Sequence, residues 1–322
     1  MSCARRRQLL VAAALLPATA VPIRARAASK PYKVGLLTVT PDERFQQSLR
    51  ELGYVEGRDV VLEVRDIEGR YELLDRMALD LVRLNVDVIV ASFPAAVLSA
   101  KRATATIPIV MVNTPDPVRL GLVTSLARPG GNITGLSTLS VDDSIKQLEL
   151  LREALPRLSR VALLWNPDNP WHPIAVKDVL ARSGPLGIEL QVFEARTPDA
   201  FESAFQAMAV KRMQAVLILA DPMLFAHRQR LAELALERRL PAMGNVLGYA
   251  ESGSLMSYWA DRGELARRSA SYVDRILKGA RPGELPIEQP TKFEFLINLK
   301  TARRLGIAIP ESVLLRADRL IE

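Results

Sequence analysis

Cysteine is almost absent. Cys3 is the only one in 322 residues, and it lies in an N-terminal stretch that reads as removable. The remaining chain is expected to have no disulfide and no thiol chemistry. Histidine is nearly as scarce: His172 and His227 stand far apart, with no second His or Cys at ligand spacing, so no metal site is expected. There is no G-x-S-x-G, no Walker phosphate loop and no G-x-G-x-x-G. "RPGGNITG" is glycine-rich but lacks the lysine and spacing of a phosphate loop, and reads as a turn. No cofactor is expected. Beyond the first residues no apolar run nears the roughly 20 residues that cross a bilayer.

The N-terminus is a special case. It has a basic start, an apolar run from Leu9 to Ile23 interrupted by Pro17 and Pro22, and then Ala25-Arg26-Ala27, a small-x-small pattern. This reads as a secretory signal peptide over residues 1–27. Arg6-Arg7-Gln8-Leu9-Leu10 also fits a twin-arginine signal, so export by either the Sec or the twin-arginine route is expected. Cys3 precedes the apolar run and does not read as a lipid-attachment site. The segment holds five arginines and no acid, so without it the formal charge of +7 falls to +2. A nucleic-acid partner thereby loses its main support. The expected mature protein is soluble, periplasmic and long enough for two domains.

What is present is a strand–helix alternation. Short apolar runs "KVGLLT" (from Lys33), "VVLEVR" (Val60), "VDVIVA" (Val86) and "IPIVMV" (Ile107) are separated by helical patterns such as "RYELLDRMALDLVRLN". That order implies parallel sheets covered on both faces. The programme then repeats. "RVALLWNP" follows "KVGLLTVTP" at an offset of 127, Pro222 of "QAVLILADP" follows Pro94 of "DVIVASFP" at 128, and Pro241 follows Pro108 at 133. Two copies of one α/β lobe account for this, with the stretch from Ser252 onward as a tail completing both.

Ligands of open parallel sheets sit beyond the carboxyl ends of the strands. Those positions carry Thr38 and Thr40; Ser92, Phe93, Pro94 and Ala95; Asn113, Thr114 and Asp116; and, in the second copy, Asn166, Asp168, Asn169, Asp221 and Asn245. Each is either a ligand contact or a helix cap, since caps favour the same residue types. In "SFPAAVLSA" Pro94 suits a first helical turn, whose free N–H groups with the Ser92 hydroxyl would hold a carboxylate. Asp221 and Asp168 on the other copy would take an ammonium. The loop "NPDNPWHP" after "RVALLW" is the richest in polar and aromatic groups. It reads as the second lobe's cleft wall, with Trp171 a lid over the ligand or part of local packing and His172 a possible contact.

Several strings together resemble the periplasmic substrate-binding proteins of ABC importers, of the group with tryptophan- and other amino-acid-binding members. They include "ELGYVEGRDVVLEVR", "IPIVMVNTPDPVRLGLVTSLARPGGNITGLS", "LMSYWAD" and "YVDRILKGARPGELPIEQPTKFEFLINLKTARRLGI". The resemblance implies a type I periplasmic binding fold: two Rossmann-like lobes with parallel sheets joined by three crossing strands. The crossings would fall near 135–139, 255–259 and 289–293. The first lobe would comprise residues 30–137 with 256–288, the second 138–255 with 289–322. The resemblance further implies a monomeric receptor that captures a small polar or zwitterionic ligand by closure and delivers it to a membrane permease. By location it adds Trp259 and Asp261 to the binding positions. Trp171 and His172 depart from the family pattern. Two rivals share the architecture. A repressor effector domain would need a helix-turn-helix where the export signal stands. An exported α/β enzyme using Asp221 or Asp168 lacks an evident nucleophile or cofactor motif.

Overall fold

The computed structural model describes residues 30–38, 43–138, 140–244 and 248–322. The expected signal peptide, Thr40 and Asn245 lie outside the described residues.

In chain order the first lobe runs β1 (Tyr32–Thr38), α1 (Glu43–Glu51), β2 (Val60–Asp66), a 3-10 turn (Tyr71–Leu73), α2 (Leu74–Arg83), β3 (Val88–Ser92), α3 (Pro94–Ala103), β4 (Ile109–Pro115) and β5 (Ile133–Thr138). The chain continues through α4 (Ser140–Ala154), β6 (Arg160–Trp165), α5 (His172–Arg182), β7 (Glu189–Glu194), α6 (Ala200–Val210), β8 (Ala215–Ile218), α7 (Pro222–Ala226), α8 (Arg228–Glu237), β9 (Ala242–Gly244), α9 (Gly248–Glu251) and β10 (Met256–Ala260). It ends with α10 (Arg262–Leu277), β11 (Phe293–Asn298), α11 (Leu299–Leu305), α12 (Glu311–Leu314) and β12 (Arg319–Ile321).

One sheet has the order β2-β1-β3-β4-β5 and the other β12-β11-β10-β9-β8-β6-β7. The inner strands of both are parallel, and among the described residues only β10–β11 is antiparallel. Removing β11 and β12 leaves 7-6-8-9-10 beside 2-1-3-4-5, one topology used twice. The sequence repeat thus pairs β1 with β6, β3 with β8 and β4 with β9. Pro94 and Pro222 both open the helix after the matched strand, where a missing N–H costs nothing.

These strands are almost pure Val/Ile/Leu/Ala because helices cover both faces of each sheet. Ile89, Ala91 and Met111 face one side of the first sheet with α2 and α3, while Val88, Val90 and Val110 face the other with Leu265, Ala270 and Val273 of α10. The second sheet likewise packs Val161 and Leu163 against α4 and α5, and Ala162 and Leu164 against α6 and α8.

The chain leaves the first sheet after Thr138, returns after Ala260 so that α10 can pack on α1, β3, β4 and β5, and leaves again before β11. Met256–Ala260 was expected in the first lobe. Its hydrogen bonding corrects this: Met256 and Ser257 pair with Met243 and Gly244 of β9, and the whole strand pairs with β11. The second crossing therefore begins at Ala260–Asp261 rather than at 255–259.

Candidate ligand-binding cleft

In each sheet the parallel strands end on the same edge, and the two edges face one another. Tyr71, in the segment after β2, donates its hydroxyl to Asp221 Oδ2, after β8, at 2.6 Å. Gly69 packs so closely on α7 that a Cβ there would lie 2.8 Å from Met223 Cα. Arg119, in the loop after β4, pairs with Asp178 of α5 at 2.5 Å and lies 5.7 Å from the Trp171 ring centroid. The lobes are therefore in contact. One cavity of about 290 Å³ lies between Tyr71, Ala95 and Ser99 on one side and Asp168 and Pro170 on the other. A second, of about 360 Å³, is lined by Pro115, Thr138, Trp171, Asp178, Arg182 and Gln289.

The first-lobe edge is strained. Phe93 (φ 70°), Asn113 (φ 54°) and Asp116 (φ 33°) are non-glycine residues in the left-handed region, a conformation that clusters at binding sites because the surrounding structure must hold it. A register shift between Met111 and Thr114 in the β4–β5 ladder accommodates Asn113. Gly135 makes this possible, since a Cβ there would lie 2.3 Å from Met111 O. Among the described residues the buried side-chain oxygen of Asn113 has no partner, nor has Thr138 Oγ1. Phe93 caps α3 without a side-chain hydrogen bond, which leaves the first-turn N–H groups beside Ser92 to an outside acceptor. Thr38 ends β1, half-buried.

The second-lobe edge is polar but largely self-satisfied. Asp221, fully buried, accepts from Leu224 N–H (3.0 Å), Asn169 Nδ2 (3.2 Å), Asn166 Nδ2 (3.4 Å) and Tyr71. His172 Nδ1 accepts from Asn166 N–H at 3.1 Å and Nε2 faces Ala220 O at 3.1 Å. Burial lowers the ring's pKa and outweighs the Asp221 charge and the Ala220 and Asn166 carbonyls, which act to raise it. Burial and the Asp221 charge hold the Tyr71 hydroxyl far above its ordinary pKa, so it remains a donor.

At several expected positions these contacts favour the capping or packing alternative over ligand contact. Asp221 has no capacity left for a ligand ammonium. Asp168 is exposed and paired with Arg196 at 2.5 Å. Asn166 and Asn169 brace Asp221 and close turns by accepting from Asp168 and Trp171 N–H groups. Trp171, 4% exposed, packs in the core on β6 while one face lines the second cavity, and Trp259, 3% exposed, belongs to the core beneath α10. Asp261 caps α10. Thr114 is fully buried, and Asp116 accepts from Arg119 N–H at 3.0 Å. His172 is buried and turned toward Asn166 and Ala220.

The match to a family of known proteins covers residues 41–321, almost all of the described chain; the family's description is ABC transporter substrate binding protein. The chain belongs to that family. A Clostridioides difficile relative named "Tyrosine-binding protein" is 25% identical over 264 residues, covering 82% of this chain and 75% of its own. A solved structure from Streptococcus pneumoniae, an ABC domain in complex with L-Trp, is 25% identical, with a TM-score of 0.84 over 91% of this chain and 100% of that one. A conserved domain protein from Vibrio cholerae is 28% identical, with a TM-score of 0.84 over 90% and 100%. The fold is the two-lobed type I periplasmic binding fold. Among the described residues no helix is long and apolar enough to cross a membrane.

For a substrate-binding protein four further residues are informative. Tyr71 sits in an ordinary helical pattern. Trp165 ends β6, half-buried, and its indole N–H has no partner among the described residues. Gln147 of α4 donates to Tyr258 O at 2.8 Å, and its own buried oxygen has no partner among the described residues. Asp143, one turn earlier, is 5% exposed, and burial with the neighbouring Asp142 pushes its carboxyl up to about 7.

Proposed function

We propose that this protein is the extracytoplasmic receptor of an ABC importer and that it captures an L-amino acid, with an aromatic side chain favoured, by closing its lobes. The observation that carries the ligand class is the full-length likeness to a structure solved with L-Trp, supported by a relative named for tyrosine. The site fits such a ligand. The Ser92–Ala95 turn offers a hydroxyl and uncapped N–H groups to a carboxylate, and Asn113 adds a polar group. Closure is a two-state equilibrium that a ligand shifts by touching both lobes. The receptor works in the periplasm as a monomer after export, delivers its ligand to a membrane permease and performs no chemistry on it.

Native mass spectrometry of protein purified without refolding tests this. The expected result is a bound mass equal to an aromatic amino acid, released unchanged. A different bound compound, or release of an altered one, would reject the reading.

A further inference from the structure

We infer that Asp143, with the side-chain oxygen of Gln147, is the subsite for the ligand's ammonium group. This rests on the amino-acid reading above and replaces Asp221 and Asp168, which are already engaged.

The position follows from topology. Helix α4 enters the second lobe from the crossing after Thr138 and runs antiparallel to the β6 strand that follows it. Its first turns therefore lie at the carboxyl edge of the second sheet, where Trp165 ends β6 and Tyr258 nears the end of β10. The Gln147–Tyr258 hydrogen bond fixes that placement. Asp143 and Gln147 are four residues apart and share one helix face.

The chemistry is that of a cation site without its cation. Acids in a first helical turn ordinarily serve the helix dipole from the surface, and Asp142 does so, exposed and paired with Arg182 at 2.5 Å. Asp143 differs. It is buried, and no Lys, Arg or hydrogen-bond donor among the described residues engages it; the charged group that acts on it is another acid, Asp142. Gln147 beside it is fully buried and spends its N–H on Tyr258, leaving an oxygen that can only accept. A buried carboxylate and a buried carbonyl oxygen, both lacking donors, match a group that brings several N–H donors and a positive charge. An α-ammonium does so, and a des-amino analogue does not. Each orphaned acceptor is costly unless something fills it.

The test is calorimetric titration of ligand-stripped wild type and Asp143→Asn with L-tryptophan and indole-3-propionate, repeated with L-tyrosine and its des-amino analogue. Wild type should prefer the amino acid by at least tenfold. Asp143→Asn should bind the amino acid ten- to several-hundredfold more weakly, bind the des-amino acid no more weakly than wild type does, and melt at or above the wild-type temperature when ligand-free at pH 8. Gln147→Met should show a smaller loss of the same kind. Equal affinity of wild type and Asp143→Asn for the amino acid would overturn the assignment while leaving the receptor reading intact. A lower melting point with both ligands equally weakened would also overturn it, by making Asp143 structural. A wild type that binds no amino acid rejects the underlying reading and the subsite with it.

Discussion

Tyr71 Oη lies 2.6 Å from Asp221 Oδ2, and the two residues belong to opposite lobes. Among the described residues every other donor to that carboxylate comes from the second lobe itself: Leu224, Asn169 and Asn166. The tyrosine bond is therefore one that opening must break and closing must make. Tyr71→Phe should leave each lobe intact while removing a hydrogen bond to a charged group, about 1.5–3 kcal/mol. Ligand affinity should fall roughly tenfold or more, mainly through faster release, and small-angle scattering of the liganded variant should report a larger open fraction. Unchanged affinity would mean the contact contributes nothing to closure.

The tryptophans separate support from contact. Trp171 is a core residue beneath Arg119, so Trp171→Ala should cost about 3–5 kcal/mol of stability, read as a drop in melting temperature without ligand. Trp165, with its unpartnered N–H at the cleft edge, should report on binding. Trp165→Phe should abolish most of the ligand-induced change in intrinsic fluorescence, and Trp171→Phe should keep it.

Asp143 should give stability and affinity opposite pH trends. Its carboxyl is raised to about 7 in the folded protein against about 3.9 unfolded, so the folded state binds the proton more tightly. The stabilising contribution of the protonated form is full below the unfolded value and is lost as pH rises through about 7. The wild type should thus fall behind Asp143→Asn progressively between about pH 4 and 8, by up to about 4 kcal/mol. The titratable groups acting together with Asp143 are Asp142 on its own helix and Tyr258 on β10, whose own pKa is raised mainly by burial. A cationic ligand group favours ionised Asp143, so affinity should rise over the same range. Denaturant titrations and calorimetry across pH check both trends.

His172 predicts the acid limit. Burial lowers its pKa in the folded state, so unfolding takes up a proton once pH falls below about 6.5. Stability should decline from there downward, and His172→Gln, if it folds, should flatten that limb of a urea-midpoint-against-pH profile.

The strands and their duplication were legible because buried parallel strands carry uninterrupted Val/Ile/Leu runs, and the same loop chemistry follows β1 and β6, and β3 and β8. Met256–Ala260 was misplaced because "MSYWA" gives no sign of which sheet accepts its hydrogen bonds. Sequence marks a polar loop but not the direction of its side chains: Asn166, Asn169 and His172 turn inward to hold Asp221 and the adjoining Ala220 carbonyl instead of facing the cleft. Asp142 and Asp143 read alike as helix-opening acids, and only the packing of α4 on β10 makes one exposed and the other buried. Tyr71 acquires its role from a partner 150 residues away.

The central claim is that the lobes close on an amino acid and do nothing further to it. Titration of ligand-stripped wild type with L-tryptophan and L-tyrosine, followed by chromatography of the bound fraction, tests it most directly. The account predicts saturable one-to-one binding of at least one of them and quantitative recovery of the unmodified amino acid. Absence of binding by either, or recovery of a converted product, would contradict it.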